Sequence, residues 1–171
     1  MNVSKAVLQL QNSVSRQKQD WETPHDVFET ACKEFYVNPK LDVCAYKTNK
    51  KCEQYFNPHM DGLARDWYMD SFMNPPYIDV ESWIKKAHEQ HWKHGIDILA
   101  LVFSKTGVSW FHKYIYSNEL KGYLPHVEVY PHKGRIRFLE NGKPSHNVAT
   151  DDSIWIVWSQ KSLIKRRLGQ T

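Results

Sequence analysis

The chain has 171 residues, 41% of them apolar and 25% charged, which suits one packed domain and excludes wholesale disorder. No run of about 18 apolar residues is present, so no membrane-spanning helix is expected, and the first residues lack the apolar stretch of a signal peptide. The net charge of +4 permits a polyanionic partner without demanding one.

Residues 1–19 are polar and read as a flexible or weakly helical leader to a domain over 20–160. Thr23-Pro24-His25-Asp26 reads as a helix start: Thr23 caps, Pro24 takes the first helical position and Asp26 completes a capping box. Val27, Phe28, Ala31, Cys32 and Phe35 follow at helical spacing. Leu41-Asp42-Val43-Cys44-Ala45 predicts a buried strand, and residues 46–69 an irregular stretch with a short helix. A helix from Val80 to His94 is expected, with Asp79 as its cap and Trp83, Ala87 and His91 along one face. Ile96–Phe103 reads as a central strand, followed by a helix over Val108–Tyr116. Val127–Tyr130 and Arg135–Leu139 flank a turn and predict a hairpin; Asn141-Gly142 marks another turn, and Ser153–Ser159 a last strand. Residues 161–171, with Lys161, Lys165, Arg166 and Arg167, read as a solvated basic tail. Strand–helix alternation followed by late strands predicts an α/β fold, three-layer with a mixed, mostly parallel central sheet.

Asn74-Pro75-Pro76-Tyr77 carries the most chemistry. The Asn74 oxygen can accept from an exocyclic amine, and residues before proline are held extended. Neither proline offers an N–H, so the Pro75 carbonyl can be aimed at a ligand. Tyr77 adds a flat face. Together they form a rigid clamp for a planar amine such as adenine N6; the competing reading is an ordinary proline-rich turn at a strand end. Asp42, at a strand end, and Asp66, with Trp67 beside it, are candidate nucleoside contacts; the alternatives are a helix-capping carboxylate and a solvated loop acid. The first glycine is Gly62, and no Gly-x-Gly-x-x-Gly or P-loop exists. Phosphate-bearing cofactors are therefore disfavoured, and S-adenosylmethionine, which has no phosphate, is not. Cys32, Cys44 and Cys52 are an odd count, expected as reduced thiols. His88, His91 and His94 spread around two helical turns instead of converging, so no metal site is expected and a solvated face is.

The chain resembles the phage and prophage Dam-type DNA N6-adenine methyltransferases. The resemblance rests on Asp20-Trp21-Glu22-Thr23-Pro24, Leu41–Ala45, Asp61-Gly62-Leu63 with Asp66-Trp67, Asn74–Tyr77, Trp110-Phe111 and Gly134–Phe138. It implies a compact Rossmann-like class I methyltransferase fold, S-adenosylmethionine as methyl donor and double-stranded DNA as partner. By that resemblance Asn74, Pro75, Pro76 and Tyr77 are catalytic. Trp21, Thr23, Pro24, Asp42, Cys44, Asp66, Trp67 and Asn74 line the cofactor site. Lys133, Arg135 and Arg137 are candidate phosphate contacts, with an ordinary polar hairpin face as the alternative. The acceptor is adenine N6; cytosine N4 or a glutamine amide is the alternative within the enzyme class, and a non-catalytic nucleic-acid-binding relic outside it. A monomer or homodimer in the host cytoplasm, phage- or prophage-encoded, is the implied setting.

Overall fold

The computed structural model describes residues 21–170, so the expected leader lies outside the described residues. Helix α1 spans His25–Phe35 and turns Phe28, Ala31 and Phe35 inward. Its start differs from expectation. Pro24 is the cap residue and no side chain caps the helix, so neither the Thr23 cap nor the Asp26 capping box forms. Thr23 is buried instead, because paired backbone bonds between Glu22 and Leu139 (3.1 and 2.8 Å) draw this segment against the loop around residue 139.

Six strands form the central sheet: β1 (Leu41–Asp42), β2 (Gln54–Tyr55), β3 (Ser71–Met73), β4 (Ile98–Phe103), β7 (Val127–Pro131) and β10 (Ser153–Trp158). Their spatial order is β2-β1-β3-β4-β10-β7. The β2-β1-β3-β4 half is parallel throughout, whereas β10 runs antiparallel to both its neighbours. Strand β2 lies inside the stretch expected to be irregular, and residues 46–69 contain turns but no helix. The Val127–Leu139 hairpin does not form. β7 gives its ladder to β10, while residues 132–138 run as a loop and a small separate hairpin, β8 (Leu139–Glu140) with β9 (Lys143–Pro144), closes on Asn141-Gly142. A second small pair, β5 (Tyr116–Ser117) with β6 (Gly122–Tyr123), precedes β7.

Alternation along β4 explains the layers. Ile98, Ala100 and Val102 pack on one face with Trp83, Ile84 and Ala87 of α2 (Val80–His94) and Trp110 and Phe111 of α3 (Ser109–Tyr114). Leu99 and Leu101 pack on the other with Phe28, Ala31 and Phe35 of α1. The sheet is thus covered on both sides, as parallel strands require. Asp79 caps α2 by accepting from Ser82 N at 3.4 Å, and Gly95 ends it in the left-handed region (φ 69°). His91 is fully buried, not solvated: its ring lies 2.7 Å from the Ile96 carbonyl and 3.2 Å from the His126 ring. The basic tail also departs from expectation. Leu163–Arg167 forms α4, and Arg166 is buried against the Phe35 carbonyl (2.9 Å) and Glu128 (2.6 Å).

The chain leaves β1 for β2 on one side and returns to β3 on the other. Ligands of open α/β sheets bind beyond the carboxyl ends of strands at such a reversal. Cys44 follows β1 and Asn74 follows β3, so this crevice is where both motifs arrive.

Candidate active site

Asn74 is held by two hydrogen bonds, and its backbone N–H lies near the Cys44 sulfur. Its side-chain amide donates to the Trp21 carbonyl at 2.5 Å, and its oxygen accepts from the Tyr77 hydroxyl at 3.3 Å. The Trp21 contact fixes which end of the amide is donor and which is acceptor. Pro75 is buried, and no backbone donor among the described residues engages its carbonyl; the Pro76 carbonyl accepts from Asp79 N at 3.3 Å. Burial pushes the Tyr77 hydroxyl well above its ordinary range, so it stays a neutral donor. One face of the Tyr77 ring stacks on Phe103, centroids 4.0 Å apart and planes 13° from parallel. Phe103 meets Phe138, which meets Trp21, so the rings tie the motif to the segment before α1.

Next to this motif lies a small cavity of about 140 Å³, bounded by the segment after β1, residues 56–62, Pro76 and Trp83. Mostly apolar walls with a few polar groups, as here, are the usual lining of small-molecule sites. Gly62 makes this one possible. A Cβ there would stand 2.2 Å from the Val43 carbonyl, so only glycine lets residues 56–62 close over β1. Trp67 supports the turn from below, its indole donating to the Gly62 carbonyl at 2.9 Å. Asp61, with φ 53°, accepts from Leu63 N at 3.1 Å and presents its exposed carboxylate at the pocket. Pro76 belongs to both features and Cys44 lines the pocket near Asn74, so the Asn74–Tyr77 motif and the pocket share a wall.

The expected site residues divide. Trp21, Cys44 and Asn74–Tyr77 come together. Thr23 lies inside, its hydroxyl without a partner among the described residues, and Pro24 sits at the start of α1. Asp42 is buried beneath the crevice, accepting from Cys44 N (3.4 Å) and Lys51 N (2.9 Å). Asp66 and Trp67 are apart from the pocket. The Asp66 carboxylate accepts from Lys93 (2.6 Å) and Gln90 (3.3 Å) and is held below its ordinary value chiefly by Lys93. Trp67 is fully buried. Lys133, Arg135 and Arg137 are exposed on the loop between β7 and β8, where Ile136 and Phe138 alternate inward. Arg135 pairs with Asp152 at 3.5 Å. Tyr46, Phe56, Asn57 and Asp61 were not expected at the site. Asn57-Pro58 and Asp61-Gly62 are turn pairs in the sequence, but only the pairing of β2 with β1 shows where those turns lie.

Comparison with known proteins identifies relatives of the chain. The family model for DNA N-6-adenine-methyltransferase (Dam) matches residues 11–167, through the end of α4. A DNA N-6-adenine-methyltransferase of Haemophilus phage HP1 (strain HP1c1) is 30% identical over 101 residues, 58% of this chain and 58% of that protein. One of Escherichia phage T1 is 31% identical over 93 residues, 53% of this chain and 38% of that protein. The matched region thus spans little more than half of the first relative and less of the second. With its family model covering nearly every described residue, the chain belongs to the DNA N-6-adenine-methyltransferase (Dam) family.

Proposed function

We propose that the chain transfers a methyl group from S-adenosylmethionine to N6 of an adenine flipped out of double-stranded DNA, on a Rossmann-like methyltransferase fold. The observation that carries this reading is the wall shared by the amide clamp and the pocket, through Cys44 and Pro76. The pocket residues fit the donor's chemistry. Phe56 and Trp83 offer apolar walls for a purine, and Asn57 and Asp61 offer polar groups for its amine edge or the ribose. When bound, S-adenosylmethionine supplies an electrophilic sulfonium methyl. Asn74 and the Pro75 carbonyl hold the two N6 hydrogens, which favours a pyramidal nitrogen with its lone pair free for displacement. Tyr77, backed by Phe103, gives the extruded base a ring to lie against. The amine proton leaves after attack, so no strong base is needed. Lys133, Arg135 and Arg137 stand at the same end through the Phe138–Phe103–Tyr77 contacts and suit phosphates. No helix among the described residues is long and apolar enough to cross a membrane, and the host cytoplasm is the proposed setting.

The test is transfer of labelled methyl from S-adenosylmethionine to plasmid DNA, followed by nucleoside digestion and mapping of the modified sites. Label in N6-methyladenine is expected; label in N4-methylcytosine or in protein would move the acceptor, and absent labelling without donor binding would leave only a nucleic-acid-binding relic. Asn74→Ala should keep donor affinity and lose about 100-fold or more in single-turnover rate. Undiminished turnover in that variant would defeat the clamp.

A further inference from the structure

Ile78 follows the clamp directly and is exposed. It is 76% exposed, the most exposed large apolar side chain among the described residues, beside a Tyr77 packed on Phe103. Its backbone lies in a hydrogen-bonded turn. Two prolines precede it, the Pro76 carbonyl accepts from Asp79 N, and the Asp79 carboxylate caps α2. A β-branched side chain on such a turn has few rotamers to lose. Cations and carboxylates are mixed at this end of the sheet, where Arg135 pairs with Asp152 (3.5 Å). The Lys105–Asp151 pair (2.8 Å) lies within electrostatic reach of the Tyr77 hydroxyl, and exposed Arg135 and Arg137 flank Phe138, which touches Phe103.

We propose that Ile78 is a wedge: it enters the base stack and fills the space left by the adenine that the Asn74–Tyr77 clamp receives. The proposal rests on the function proposed above. Extruding a base sacrifices its stacking and pairing, and inserted apolar side chains are a known means of holding a duplex unstacked. A stiff, exposed apolar side chain directly after the clamp does this without ordering a mobile loop. Ile78 acts on the duplex and not on the reacting atoms, so it is a positioning residue.

The experiment compares the parent protein, Ile78→Ala and Ile78→Leu on short duplexes built around a mapped methylation site. The target adenine is paired with thymine in one duplex and lies opposite an abasic position in the other. A third duplex carries 2-aminopurine at the target to report unstacking by fluorescence. Ile78→Ala should lower kcat/KM about 10- to 100-fold on the paired duplex, the scale of a lost unstacking contribution. It should also blunt the fluorescence rise, leave the abasic-opposed duplex methylated at the parent rate, and bind S-adenosylmethionine unchanged. Ile78→Leu should restore most of the paired activity. Equal losses on both duplexes, or no loss on the paired one, would overturn the wedge. A parent protein that labels neither duplex would remove the methyltransferase reading itself, whereas an active parent with an insensitive Ile78→Ala removes the wedge alone.

Discussion

Two backbone N–H groups, from Cys44 and Lys51, reach the Asp42 carboxylate, yet burial outweighs them and pushes its pKa up to about 6 from an ordinary 3.8. The folded chain therefore holds this proton more tightly than the unfolded chain. The stabilisation is complete below about pH 4 and is lost as pH rises through about 6, roughly 3 kcal/mol in all. Asp42→Asn keeps an acceptor and never ionises. Its urea midpoint should therefore lack the decline that Asp42 imposes on the parent between about pH 4 and pH 7; parallel profiles would show that the carboxyl is not held protonated. The neighbouring acids show what sequence reading reaches at this scale. Asp61 and Asp66 are both loop acids by local pattern. What separates them is Lys93, 27 positions further along, which occupies Asp66. The Asn74–Tyr77 motif was legible as a unit because its four residues are contiguous and two are prolines, and Tyr77 does bond Asn74. The pocket's own acid was not, since its surroundings are assembled from distant segments.

Gly62 carries an element-level constraint. Its alpha carbon faces the Val43 carbonyl so closely that any side chain would drive the Phe56–Gly62 turn off β1. Gly62→Ala should lower stability by about 1–3 kcal/mol and weaken S-adenosylmethionine binding with it, read by thermal melting and a binding isotherm; an unchanged isotherm would separate the turn from the pocket. Long, strongly patterned elements were readable: α2 with its Asp79 cap, β4 and β10. β2 was not, because two residues, one of them Gln54, carry no period. The missing hairpin is more instructive. Arg135–Phe138 does alternate, and Ile136 and Phe138 do turn inward, but their backbone bonds go to Ala149 and Ser145. Alternation reports which side is buried and says nothing of which partner supplies the ladder.

For the molecule as a whole, the C-terminal segment is a clasp. The Arg166 guanidinium joins α4 to α1 through Phe35 and to β7 through Glu128. Arg166→Ala leaves those groups without their donor and should cost about 3 kcal/mol in urea unfolding, whereas Lys165→Ala, on the exposed side, should cost little; equal small effects would reduce the clasp to surface decoration. A run of Lys and Arg gives no hint of this, since one buried arginine among solvated ones is distinguished only by its partners. The three layers and the mixed sheet were readable from the alternation of elements, while the strand order was not. That order has a consequence during synthesis. β10 sits between β4 and β7 and is made after both, so until Trp158 emerges the nascent chain carries two open ribbon edges that cannot satisfy each other. Closure is a late, long-range event, and a polypeptide interrupted before Ser153 is a sticky fragment, not a smaller version of the fold.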